Sequence, residues 1–263
     1  MSDESAPAVL LEVTDHVATI TLNRPEQLNA INPQLAEELV AAFRAVRERD
    51  DVRVAVLTGN GRAFCAGADL KSRARGESGA GGPGSVFDPT AATIYETDTK
   101  KPLIGAINGY CLGGGFEVAL TCDMLIASEQ AAFALPEITL GFFPGGGAPV
   151  RLPRKIPAAL ANDMLFTGER IDAATALRYG IVSRVVPHDQ LLATAQAMAA
   201  KIAGNAPVAV RAMREVIHRS ADLPLGDALR LAATMRYVVG LTDDAKEGPR
   251  AFVEKRKPEY QGR

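Results

Sequence analysis

The chain is 263 residues long, with 29 basic and 31 acidic side chains and a formal net charge of −2. That length fits one large domain with a substantial core, or one domain with a helical appendage, and the charge balance leaves no whole-chain footprint for nucleic acid or an anionic membrane. No apolar run reaches the roughly 18 to 20 residues that span a bilayer, the polar, acidic N-terminus is neither a secretory signal nor an Arg-rich transit peptide, and Cys65, Cys111 and Cys122, lacking metal-ligand spacing, predict reduced, packed thiols in a cytoplasmic protein.

In chain order, residues 9–13 and 17–22 have strand composition around Thr14-Asp15-His16, an opening hairpin. Asn32-Pro33 reads as an N-cap followed by proline at the first helical position, and Leu35, Leu39, Phe43 and Val46 recur at helical spacing. Residues 52–58 form a nearly continuous β-branched run suited to a strand buried on both faces; 103–107 repeat that character and 124–127 do so more briefly. Strands alternating with helices predict an α/β core. Residues 73–89, dense in glycine, resist regular structure and predict a loop, either a substrate lid or a solvent-exposed insertion. Helices are expected over 157–166 and 172–179, each stopped by glycine (Gly168, Gly180), with a strand over 181–186. Four successive helices follow, over 191–203, 207–219, 225–239 and 243–255, whose apolar faces call for packing on the core or on a second subunit. The division expected is a core over 1–204 and a helical region over 205–263.

Two glutamates carry the chemistry. Glu117 ends Asn108-Gly-Tyr-Cys-Leu-Gly-Gly-Gly-Phe-Glu117, in the first turn of a helix whose open backbone N–H groups stabilise negative charge on a ligand oxygen. Glu137 lies in Phe133-Ala-Leu-Pro-Glu137, on a separate segment, where it supplies the other half of an acid/base pair. Apolar runs flank both, which sets them apart from solvated surface glutamates.

These motifs, together with Asn23-Arg-Pro-Glu-Gln-Leu-Asn-Ala30, Phe64-Cys-Ala-Gly-Ala-Asp-Leu-Lys71, Lys101-Pro102 and Ala251-Phe-Val-Glu-Lys-Arg256, resemble the crotonase (enoyl-CoA hydratase/isomerase) superfamily, in order and over essentially the whole chain. The resemblance implies a crotonase-like spiral of ββα units with a helical C-terminal trimerisation region, assembled as a homotrimer or homohexamer. It implies an acyl-CoA thioester as substrate, with coenzyme A part of that substrate and no separate cofactor or metal. It places two backbone donors for the thioester oxygen, the oxyanion hole, at Ala66 and Gly114, and coenzyme contacts at Gly67, Ala68, Asp69, Lys71, Phe252 and Lys255. Both carboxylate positions of the hydratases are filled: Glu117 is expected to activate water and Glu137 to supply the α-proton. Hydration of a 2-enoyl-CoA is therefore the leading expectation, with double-bond isomerisation as an alternative.

Gly-Gly-Gly-Phe-Glu117, Arg151-Leu-Pro-Arg154 and Asp243-Asp-Ala-Lys-Glu-Gly-Pro249 resemble the carnitinyl-CoA dehydratase branch, and Gly145-Gly-Gly147 is expected to turn beside the acyl site. A non-catalytic RNA-binding or scaffold protein on the same fold is the expectation from a different class, and the neutral charge and intact glutamates weigh against it.

Overall fold

The computed structural model describes residues 6–71, 93–95 and 98–263. The glycine-rich segment over 73–89 lies outside them.

The chain opens with the hairpin β1 (Val9–Thr14) and β2 (Val17–Leu22), closed by Asp15 and His16, both at positive φ (48° and 68°), as a tight two-residue hairpin turn requires. Helix α1 (Pro33–Glu48) follows; Asn32 caps it by accepting from Leu35 N at 2.9 Å, and Leu35, Leu39, Phe43 and Val46 form its buried stripe. Buried Lys101 closes the other end, its Nζ donating to Val46 O (2.7 Å) and Arg49 O (2.6 Å).

Three strand pairs then organise the molecule: β3 (Val54–Gly59) with β4 (Ala63–Cys65), β5 (Leu103–Ile107) with β6 (Tyr110–Leu112), and β7 (Met124–Ser128) with β8 (Ala132–Ala134). The first strand of each pair enters one sheet, in the order β1-β2-β3-β5-β7-β10, and the second enters another, in the order β4-β6-β8-β9. Here β9 is Ile171–Asp172 and β10 is Arg184–Val186. Each pair thus steps from one sheet to the other and back, which makes the chain a spiral of ββα type. The three-residue strands of the second sheet are too short to show periodicity, and none is anticipated above.

The first sheet is buried on both faces. Val54, Val56, Ile104, Ala106 and Ile126 face helix α6 (Leu191–Ala203). That helix meets them with Leu191, Ala195, Ala199 and Ala203, small residues at helical spacing that let its backbone approach the sheet. Ala55, Leu57, Leu103, Ile107 and Leu125 face the main core, where Phe116 and Phe133 pack with ring centroids 5.4 Å apart.

The helices between and beyond are α2 (Gly114–Ala119), α3 (Ala148–Lys155), α4 (Ala158–Thr167), α5 (Ala173–Tyr179), α7 (Pro207–Ser220), α8 (Leu225–Gly240) and α9 (Asp244–Val253). Gly168 and Gly180, both left-handed, end α4 and α5, where the glycine stops are read from sequence. Helix α3 was not anticipated, because Pro149 and Pro153 argue against it; Pro149 falls in its first turn, where no intrahelical N–H is lost. Helices α7 and α8 pack on each other, and neither has a fully buried residue. Arg214 anchors α7 to the core through Asp123 (2.9 Å) and Asp98 (2.8 Å). Met213, Ile217, Leu225, Leu229, Tyr237, Leu241 and Phe252 are left exposed. No helix among the described residues is long and apolar enough to cross a membrane.

Candidate active site

The site forms where the parallel strands of the second sheet end. Strand β4 runs into residues 66–69, β6 into Gly113 and α2, and β8 into Pro136 and Glu137. Three loops that are far apart in sequence are therefore delivered to one edge, the usual place for a ligand in parallel sheets.

The Arg24–Ala30 turn holds the first loop. Asn29 is fully buried at positive φ (55°), donates to Asn60 O (3.0 Å) and Ala63 O (2.8 Å), and accepts from Arg24 N (2.8 Å). Arg24 also donates to Ala30 O and pairs with Asp69 at 3.2 Å. Ile31 then takes up the backbone on either side of Ala68: its N donates to Gly67 O (2.8 Å) and its carbonyl accepts from Asp69 N (2.9 Å). The expected donor Ala66 is already engaged, since its N–H donates to Leu28 O at 3.0 Å. That corrects the expectation. The Ala68 amide of the same segment donates to no described group.

Opposite lies the glycine triplet. Gly67, at φ 92°, crosses it so closely that a methyl group on Gly67 would stand 3.0 Å from Leu112 O and 3.4 Å from Gly114 N. Gly113 N makes a last rung to Ala134 O (2.9 Å), whereas Gly114 is the first residue of α2 and its N–H has no intrahelical acceptor. Gly113 has φ 52°, and a methyl group there would meet Glu137 Oε1 at 2.7 Å; one on Gly115 would strike Cys65 O at 2.4 Å. Only a side-chain-free backbone lets the second glutamate and strand β4 close on this loop.

Glu117, 3% exposed, projects from α2 against the start of α3 and accepts from Ala148 N at 3.0 Å. The turn at 145–147 wraps its carboxylate, so closely that a methyl group on Gly146 would lie 2.7 Å from Oε2. Arg151 holds that turn by donating from Nη1 to Gly146 O (2.7 Å) and from Nη2 to Tyr95 O (2.6 Å). Burial pushes the Glu117 carboxyl above the usual carboxylate range, against the pull of the Ala148, Gly146 and Gly147 amides and the Arg151 charge. Glu137 sits in the short 3₁₀ turn Pro136–Leu140, and its buried Oε2 has no hydrogen-bond partner. Burial raises its proton affinity too, and the Glu117 charge raises it further. Glu137 thus feels the charge of Glu117 across the site.

The model of the enoyl-CoA hydratase/isomerase family matches residues 12–263. The chain belongs to the enoyl-CoA hydratase/isomerase family. It is 43% identical to a carnitinyl-CoA dehydratase of Proteus mirabilis over 94% of this chain and 95% of that one. An enoyl-CoA hydratase of Bacillus anthracis superposes with a TM-score of 0.90 at 40% identity, covering 97% of this chain and 100% of its own. One from Mycobacterium marinum gives 0.91 at 36% identity, over 98% and 100%.

Within this enoyl-CoA hydratase/isomerase chain the remaining expected contacts divide. Gly67 and Ala68 line the junction with Gly114, and Asp69 braces the segment through Arg24. Lys71 is exposed just beyond it. Phe252, 85% exposed at the end of α9, and Lys255 after it both lie at the surface. Tyr95 and Arg151 escaped the sequence reading as site residues, because neither is tied to the glutamates by spacing.

Both carboxyls bind protons more tightly in the folded chain than in an unfolded one, where a glutamate titrates near 4.3. Their contribution to stability is therefore full below that range and is lost as pH rises through the folded values. Glu137→Gln removes one of these ionisations. Its thermal midpoint should exceed that of the wild type at about pH 8, with the gap closing towards about pH 4. Thermal melts in which the gap instead widens on acidification contradict this.

Proposed function

We propose that the protein is a hydro-lyase that adds water reversibly across the 2,3 double bond of a 2-enoyl-CoA thioester. The observation that carries this is the pair of shielded glutamates, both with raised proton affinity, at a junction where the Ala68 and Gly114 amides are open. The thioester oxygen takes those two amides, which stabilise the charge that gathers on it as the enolate forms. Glu117, as carboxylate, removes a proton from water while the water oxygen bonds to the β-carbon. The π electrons move onto the thioester oxygen, and Glu137, as acid, returns a proton to the α-carbon. Glu117 ends protonated and Glu137 ionised, and proton exchange between them or with solvent restores the pair. Dehydration of a 3-hydroxyacyl-CoA runs the same steps backwards.

The likeness to the Proteus carnitinyl-CoA dehydratase supports a second reading of the acyl group, a short thioester of the crotonobetainyl type. A panel of enoyl-CoA thioesters, that one included, followed by loss of the enoyl thioester absorbance, identifies the substrate. On the best of them Glu117→Gln and Glu137→Gln should each lower turnover by about a hundred-fold or more, while affinity for a saturated acyl-CoA changes far less. No turnover across the panel, or near wild-type turnover in either variant, contradicts the paired-carboxylate mechanism.

Residues 205–263 form the assembly region in this reading. The exposed apolar residues of α7, α8 and α9 are covered by neighbouring subunits, which also bring Phe252 and Lys255 into use. Light scattering should give a mass of three subunits or a multiple of three, and a monomer at micromolar concentration overturns this. The three buried, unpaired cysteines suit a reducing compartment such as the cytoplasm.

A further inference from the structure

Tyr95 is the side chain of the site that the two-glutamate chemistry leaves without a task. Its ring packs on the turn that wraps Glu117: a methyl group on Gly146 would lie 2.7 Å from the ring Cε1, 2.8 Å from Cδ1 and 2.7 Å from Glu117 Oε2. The other end of the phenol reaches the glycine triplet. A methyl group on Gly114 would lie 2.7 Å from Tyr95 Oη and 3.9 Å from Ala68 N. The phenol therefore reaches from the turn that wraps Glu117 to Gly114, and its hydroxyl lies on the face of that glycine that Ala68 N also borders.

Its placement is enforced rather than incidental. Arg151 donates to Tyr95 O and to Gly146 O at the same time, so one guanidinium fixes the tyrosine backbone and the glutamate turn together. Among the described residues Tyr95 Oη has no hydrogen-bond partner. A tyrosine with most of its ring packed away ordinarily finds a partner for its O–H, so this hydroxyl is left available to a ligand. Burial, followed by the charges of Glu117, Cys65 and Glu137, pushes the phenol well above its ordinary titration range. The group is thus a neutral donor whenever the glutamates are at work.

We infer that Tyr95 is a further catalytic residue: its O–H is a third donor to the thioester oxygen, beside the amides of Ala68 and Gly114. The inference rests on the hydratase reading. As charge moves onto the thioester oxygen, the phenol donates without transferring its proton, so no atom or electron beyond those of hydration is involved. A donor fixed from a neighbouring segment contributes most where charge develops, and so acts on turnover more than on binding.

Tyr95→Phe tests this, since it keeps the ring, its packing on Gly146 and the backbone carbonyl that Arg151 holds. With an unchanged thermal midpoint and assembly state, the variant should lose about ten- to a hundred-fold in kcat, somewhat less than loss of a full amide donor, with KM nearly unchanged. A second readout needs no hydration step. Acetoacetyl-CoA, a β-keto thioester, shows a near-ultraviolet enolate band when a site stabilises its enolate, and Tyr95→Phe should weaken that band at saturation. If the wild type shows the band and Tyr95→Phe reproduces it in full, with kcat within two-fold, Tyr95 is no donor while the hydratase reading stands. A wild-type protein that binds acetoacetyl-CoA without the band overturns the oxyanion reading, and the role of Tyr95 with it.

Discussion

The structure depends on one close crossing of backbone over backbone, where Gly67 passes Leu112, Gly113 and Gly114 with no room for a side chain. Parallel strands end together, so β4 and β6 arrive side by side, and the crossing decides which amides are used up there. The ladder continues one rung on each side. Gly113 is bonded to Ala134, and the residues flanking Ala68 are bonded to Ile31. Ala68 N and Gly114 N are among the N–H groups left there with no acceptor among the described residues. The folded chain thus holds both N–H groups in place without a ligand, which is the condition that the proposed electrostatic stabilisation requires.

The same economy of side chains brings in the carboxylates. Glu137 closes on Gly113, Glu117 is wrapped by Gly146, and Arg151 ties the wrapping turn to Tyr95. Placing two carboxyls in poorly hydrated surroundings raises the proton affinity of both, and ionising either opposes folding. That is a stability cost retained at a functional site. The large apolar core and the buried network around Asn29 and Arg24 offset it.

The legible parts of the fold were those with long, uniform signals. Strands β3, β5 and β7 are apolar runs because α6 covers one face and the main core the other. Helix α1 announces itself by Asn32-Pro33 and its four-residue stripe. Strands β4, β6 and β8 have three residues each, too few for a period, although they aim the site. Glu117 and Glu137 stand out in the sequence because glycine or proline brackets them within an apolar context, and the fold brings both to the glycine triplet. The sequence reading put the donor at Ala66, whose N–H is bonded to Leu28 O, and gave no such role to Ala68. Which amide stays free is set by a bridge to Ile31 from another part of the chain, and nothing in Phe64-Cys-Ala-Gly-Ala-Asp encodes it. Tyr95 and Arg151 come together only through the fold.

A crystal structure with a bound saturated acyl-CoA tests the central claim, that backbone crossing leaves two particular amides to receive the substrate. The account predicts the thioester oxygen within about 3 Å of both Ala68 N and Gly114 N, an ordinary hydrogen-bond length, with Ala66 N still bonded to Leu28 O. A thioester oxygen held elsewhere, or by an Ala66 amide released from Leu28, contradicts it.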